Sequence, residues 1–269
     1  MLTWLPQLLQ TNDASFPSGS FAHSFGLEGL VQLGQVTDQA SFRDFLCEQM
    51  VPAMEHHELP FVRLAYEATQ DAAQDKLRPP ALRAAARPEP NCVVDGDEAF
   101  FRFHMPRPRE PRAVLCKLLA LDQRYGAMKG SFELRQASSR IGSQRLQMLQ
   151  RLKPHSLLAN LEQEQAAGRF QAHAAIIAGV QNALNDTPLD AALLGYYYQT
   201  LAAAVCAALK LIRMGQLAAQ KMLAERLAEA AAVIARSLVI DEMEIGWFQP
   251  TLDIASMRHE TAYSRIFIS

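Results

Sequence analysis

Apolar residues recur every three or four positions along nearly the whole chain, and the period-two alternation of a half-buried strand is scarce. Ala and Leu dominate, and runs of β-branched residues are short. Between Gln216 and Leu238, the residues Leu223, Leu227, Ala231, Ile234 and Leu238 make one apolar stripe. Lys221, Glu225, Glu229 and Arg236 take the other positions, so the spacing predicts a single amphipathic helix. Phe170 to Leu184 predicts a second, apolar helix ended by Asn185-Asp186. Thr187 as N-cap, Pro188 at the first position and Asp190 at the third open a longer one. Its stretch Ala191 to Leu209 carries no charge. It holds Gly195, three tyrosines, Gln199 and Thr200, which suits a central helix buried on most sides better than a membrane span. Thr37-Asp38 opens a helix carrying Phe42, Phe45, Leu46 and Val51, in whose continuation Pro52 and Pro60 predict breaks or kinks. Lys129 to Leu152 reads as a further helix. The fold class expected is all-α: a single-domain bundle of roughly eight to ten helices spanning residues 1–269.

Composition narrows the function. Hydrophobic residues make up 49% and charged residues 20%, a globular balance and not a disordered one. A net charge of −2 and a pI near 6.4 exclude a chain-wide basic footprint for nucleic acid. The four cysteines, Cys47, Cys92, Cys116 and Cys206, are scattered and form no CxxC pair. A zinc site or disulfide scaffold is therefore not expected, and a reducing, cytoplasmic compartment is. Met1 to Asn12 lacks a basic residue and is interrupted by Pro6, Gln7 and Gln10, so it does not read as an export signal. Residues 78–112 hold seven of the 14 prolines. They predict an excursion outside the helical body, where Val93-Val94 and Phe100 to Phe103 could pair as a hairpin about Asp95-Gly96.

Catalytic signatures are missing: there is no Walker lysine loop, no GxGxxG after a strand, no HExxH and no GxSxG. The most metal-like string is Glu55-His56-His57-Glu58. Neighbours on a helix point about 100° apart, so a solvated polar turn is expected, with a weak or transient metal contact as the alternative. His173, between two alanines, reads as a packing histidine satisfied by a backbone carbonyl, or else as an interface or pore residue. Lys129, Arg135, Arg140, Arg145, Arg151 and Lys153 face a single acid, Glu133. That helix is either a solvated face or a surface for an acidic partner. Tyr196, Tyr197 and Tyr198 must point three ways around a helix, which suits a partner contact as well as packing.

Two segments need more than helical packing. Ser15 to Glu28 holds the turn Pro17-Ser18-Gly19, two phenylalanines, His23 and Gly26. Leu252 to Ser269 is rich in Ile, Met, Tyr and Phe with arginine interspersed, and is expected to dock on its own body or on another chain, with Arg258 and Arg265 as charged anchors. Together they resemble the UreF family of urease accessory proteins. The early motif, Pro-x-Gly-x-Phe/Tyr and then Ser-x-Gly-Leu-Glu, stands here as Pro17, Gly19, Phe21, Ser24, Gly26, Leu27 and Glu28. The ending Leu-Asp-Ile-Ala-Ser-Met-Arg-His-Glu-x-x-Tyr-Ser-Arg is matched nearly throughout from Leu252 onward. His173 in its short apolar helix, the tyrosine-rich helix and Gly215-Gln216 also fit, and the likeness covers most of residues 1–75 and 115–269. Ile268 stands where many members carry a second arginine, which leaves Arg265 as the arginine near the end.

The resemblance implies an all-α, usually dimeric protein that is not itself an enzyme and holds no catalytic, cofactor or metal residue. Its implied partners are UreD (UreH in some organisms), the nickel-carrying GTPase UreG, and apo-urease, which receives the nickel. It implies a tail that becomes ordered against UreD, an arginine (Arg265 by position) that helps recruit UreG, and a glutamate (Glu28) that is implicated in the fidelity of activation. The candidate partner-binding residues are Glu28, His23, Tyr197, Met257, Arg258, His259, Glu260, Tyr263, Arg265 and Phe267, with the tail at about 250–269. Two alternatives stand beside this: a helical metal- or cofactor-binding enzyme using Glu55, His56, His57 and His173, and a helical adaptor unrelated to nickel.

Overall fold

The computed structural model describes residues 2–13, 15–19, 22–77 and 111–268. The excursion expected at about 78–112 lies outside them, except for Pro111-Arg112 at the start of a helix. Eleven helices and no strand form among the described residues. They are α1 (Leu5–Asn12), α2 (Leu27–Gln32), α3 (39–77), α4 (Pro111–Met128), α5 (Phe132–Leu152), α6 (Ser156–Ala166), α7 (Ala174–Leu184), α8 (Leu189–Leu211), α9 (Gln216–Ala228), α10 (Ala230–Leu238) and α11 (Pro250–Glu260).

Asp38 opens α3 with a reciprocal cap: its carboxylate accepts the Ser41 N–H at 2.9 Å, and the Ser41 hydroxyl accepts the Asp38 N–H at 3.1 Å. Helix then continues past both prolines. Two π turns, Leu46–Met50 and Met54–Glu58, precede Pro52 and Pro60. Proline removes a donor and crowds the carbonyl four residues back; a widened turn relieves both, so the helix runs through the prolines without ending.

The centre of the bundle is α7, not α8. Every residue from Ala174 to Ala183 is buried, as an all-round apolar helix requires. It crosses α3 at Gly179, where an added Cβ would stand 2.4 Å from the Val62 carbonyl oxygen. α7 begins at Ala174 and not at Phe170, because Asp122 accepts the N–H groups of Gln171 (2.6 Å) and His173 (2.8 Å) and Ala172 adopts φ 58°. α8 is the one helix among the described residues long and apolar enough to cross a membrane, yet half of its most apolar window is buried inside this chain. The cap also moves: Pro188 takes the N-cap position, and Thr187 is buried with its carbonyl oxygen accepting from the Tyr66 hydroxyl at 2.7 Å.

The helix expected over Gln216 to Leu238 is broken at Glu229. Ala219, Met222 and Leu223 are buried before the break, and Ala230, Val233, Ile234 and Ser237 after it. The turn shifts the buried register, and Ala231 faces outward. α5 likewise starts at Phe132, three residues later than Lys129, because the Ser131 hydroxyl caps the Leu134 N–H at 3.4 Å.

Gly179→Ala tests the central crossing. Overpacking of this kind costs about 1–3 kcal/mol. In a domain of this size that lowers the thermal midpoint by roughly 2–12 °C. Gly215→Ala, where nothing lies within 4 Å of the added Cβ, is the control and leaves the midpoint nearly unchanged.

Candidate partner-docking site

Two carboxylates and one imidazole build the site, each brought by a different helix. Gly26 at φ 82° starts α2, which places Glu28 in the first turn, buried. α11 lies close against α2, because a Cβ at Gly29 would stand 2.6 Å from the Ala255 carbonyl oxygen. That approach brings His259, near the end of α11, between Glu28 and Glu133 of α5. His259 Nδ1 is 2.9 Å from Glu133 Oε1 and in hydrogen-bond geometry. Nε2 is 3.1 Å from Glu28 Oε2, without hydrogen-bond alignment. All three side chains are buried.

The tail beyond α11 has no regular structure of its own, so its backbone groups must find partners elsewhere. Glu28 supplies two: Oε1 accepts the Ile266 N–H at 2.7 Å and Oε2 the Phe267 N–H at 2.8 Å. The Gln32 side-chain amide donates to the Ser264 carbonyl oxygen at 3.1 Å, and the Ile268 N–H to that of Ala22 at 2.8 Å. Phe267 is buried, with the Lys210 ammonium 5.3 Å from its ring centre. Arg265 is half-exposed and 3.7 Å from Glu133, at the mouth of a cleft of about 430 Å³ between the tail and α5. Asp253 of α11 accepts the Ser131 N–H at 3.2 Å, tying α11 to the start of α5.

The ten candidate residues separate by exposure. Met257, Arg258, Glu260, Tyr263 and Arg265 are exposed on α11 and the tail. Glu28, His259 and Phe267 are buried in the contacts that hold the tail. His23 is buried too, and its burial, then the charge of Arg140, lowers its pKa to about 4. Tyr197 is wholly enclosed, its hydroxyl 3.3 Å from the Arg226 carbonyl oxygen; Tyr198 is the ring that faces out. Phe21 lies outside the described residues.

Sequence reasoning missed a second polar centre. Glu58 accepts from the hydroxyls of Tyr125 (2.8 Å) and Tyr196 (2.7 Å) and from the Lys129 ammonium (2.7 Å). Burial pushes its pKa up, but Lys129 and His57 outweigh that and hold the carboxyl well below the usual range. The expected solvated turn at Glu55 to Glu58 is thus overturned. Glu55 forks onto Arg236 at 2.6 and 2.7 Å, His56 stacks on Trp247, and His57 stacks on Tyr125. The four side chains part into two pairs, His56 at 3.7 Å from Glu55 and His57 at 3.6 Å from Glu58, and among the described residues no group of three or more His, Cys, Asp or Glu is placed to hold a metal ion. The basic helix is not a uniform solvated face either. Arg145 is buried, donating to the Thr11 carbonyl oxygen and to Gln199, and Lys129 serves Glu58. His173 is buried, but its Nδ1 finds no hydrogen-bond partner.

The fold and this site define a class: an all-helical protein whose end is stapled to its own body by buried carboxylates while large side chains still point outward. The UreF family model matches residues 36–227. The chain is 28% identical over 268 residues to the urease accessory protein UreF of Actinobacillus pleuropneumoniae, covering 98% of this chain and 99% of that protein. It is 26% identical over 269 residues to the one of Haemophilus influenzae strain PittEE, covering 100% and 97%. It is 25% identical over 262 residues to that of Arthrobacter sp. strain FB24, covering 97% and 96%. The chain belongs to the UreF family.

Buried imidazoles set the response to acid. His23 and His173 are held near 4, below the ordinary 6.5, mainly by burial, and His57 is lowered for the same reason. Between about 4 and 6.5 the unfolded chain binds more protons than the folded one, so stability is lost as pH falls through that window. Asp122, raised by burial to about 6, acts in the opposite sense between 3.8 and 6 and offsets part of this loss. Urea midpoints measured from pH 7 to 4.5 fall for the natural chain, and His173→Gln flattens the slope; a constant midpoint contradicts the assignment.

Proposed function

We propose that this chain is a non-enzymatic scaffold for urease maturation, acting as a cytoplasmic dimer. It binds UreD, recruits UreG and so assists delivery of nickel, the cargo, to apo-urease. Family membership supports the maturation role, since the relatives carry the name urease accessory protein.

One observation carries the docking role. Of sixteen large hydrophobic residues exposed among the described residues, five lie on α11 and the tail. They are Ile254 and Met257 on α11, and Tyr263, Ile266 and Ile268 on the tail, whose backbone is held by Glu28, Gln32 and Ala22. A tail held in place loses less entropy on binding than a free one, at roughly 1–2 kcal/mol per ordered residue. Arg265, half-exposed at the cleft, is the charged group on this surface for UreG. Glu28 serves the partner indirectly, by fixing the tail.

Tyr263→Ala with Ile266→Ala removes exposed side chains only. The double variant keeps its thermal midpoint within about 2 °C, because surface substitutions change stability by about 0.5 kcal/mol or less. Capture of UreD falls at least roughly tenfold, as loss of an interface hot spot requires. Arg265→Ala keeps UreD binding and weakens UreG recruitment by the UreD complex. Undiminished urease activation by both variants in a reconstituted maturation assay contradicts the reading.

A further inference from the structure

A second surface precedes the tail. Residues 239–249 join α10 to α11 and contain only one short 3-10 turn, Glu242–Glu244. Such a connection is ordinarily mobile and polar, but this one is fixed from both sides. Arg63 donates to the Ile240 carbonyl oxygen at 2.9 Å, and Arg124 to the carbonyl oxygen and carboxylate of Glu242. Asp241 caps the Met243 N–H at 2.8 Å. The Gly246 N–H donates to the His56 carbonyl oxygen at 2.9 Å, Trp247 stacks on the His56 ring at 5.2 Å, and Ile245 is buried. Gln249 closes the segment by donating to the Gln49 carbonyl oxygen.

Against this anchoring, Val239 is 82% exposed, Met243 86% and Phe248 82%. Asp241, Glu242 and Glu244 lie exposed among them, and only Glu242 has a salt-bridge partner among the described residues. A rigid segment that shows three large apolar side chains to water is neither loose loop nor core. Its charge selects the occupant. Glu242 is met by Arg124, and the two carboxylates left, Asp241 and Glu244, repel anionic lipid headgroups and nucleic-acid phosphates and attract lysine or arginine. The tail differs, since its exposed cations are Arg258 and Arg265.

We propose that residues 239–249 are a separate docking surface for a protein partner whose contact face is apolar at its centre and ringed by lysine or arginine. Met243 and Phe248 enter the apolar centre, and Asp241 and Glu244 meet the basic rim. The scaffold then holds two proteins at once, through surfaces of opposite charge. This inference rests on the scaffold reading above.

The test presents UreD, UreG and apo-urease in turn to the full-length chain. The variants are Met243→Ser with Phe248→Ser, Asp241→Asn with Glu244→Gln, and the tail pair Tyr263→Ala with Ile266→Ala. Circular dichroism and the thermal midpoint confirm that each folds. The expected result is that one of the three proteins is captured at least tenfold less well by the Met243/Phe248 variant and is unaffected by the tail pair. The Asp241/Glu244 variant weakens the same capture several-fold and reduces its dependence on salt. If every component that binds the natural chain binds the Met243/Phe248 variant equally, the surface is wrong and the scaffold reading stands. Conversion of a dimer to a monomer with all captures unchanged assigns the surface to a second copy and also overturns the proposal. Failure of all three proteins to bind the natural chain sinks both.

Discussion

The structure turns on one contact: a buried carboxylate, Glu28, that accepts hydrogen bonds from two consecutive backbone amides near the far end of the chain. Taking a carboxylate out of water costs several kcal/mol unless its lone pairs are met by donors. Glu28 meets that need with the amides of Ile266 and Phe267, both contributed by the tail. The tail in turn lacks regular structure, and its amides need acceptors. Each side supplies what the other lacks. The close approach of α2 and α11 at Gly26 and Gly29 is the steric condition for the contact, and Glu133 on α5 completes it from the third side.

The same logic recurs at Glu58, where two tyrosine hydroxyls and a lysine converge on one buried carboxylate. α5 links the two centres. Its Glu133 reaches the tail, its Ser138 hydroxyl lies 3.4 Å from that of Tyr125, and its Arg145 holds Thr11 and Gln199. Apolar helices pack in many registers. Buried polar groups remove the alternatives, since a shifted register would leave the same groups buried without partners. Rigid placement follows, and with it an apolar tail that is ordered on the body of the chain.

Much of this was legible in the sequence. Apolar spacing pointed to the helical class, and the greasy ending to a segment that docks, which here it does on its own body at Glu28 of the early motif. What failed had local causes. The stripe through Leu223 to Leu238 hid the break at Glu229, because a one-residue shift still leaves apolar groups at nearly helical spacing. Glu55 to Glu58 looked solvated because the chain alone does not show that Arg236, Trp247, Tyr125 and Lys129 would meet it from distant positions. Asp122, which shapes the entry to the central helix, carries no sequence signal at all. Glu133 did carry one: a lone acid in a helix of cations is a natural place for a paired, buried carboxylate.

The central claim is that the tail is held through its backbone by Glu28 while Tyr263, Ile266 and Ile268 keep their side chains exposed. Amide hydrogen exchange in the isolated chain, read at Ile266 and Phe267, tests it most directly. The account predicts that these two amides exchange at least roughly tenfold more slowly than those of Tyr263 and Arg265, and that Glu28→Ala erases the difference. Equal, fast exchange across residues 263–267 in the natural chain would contradict it.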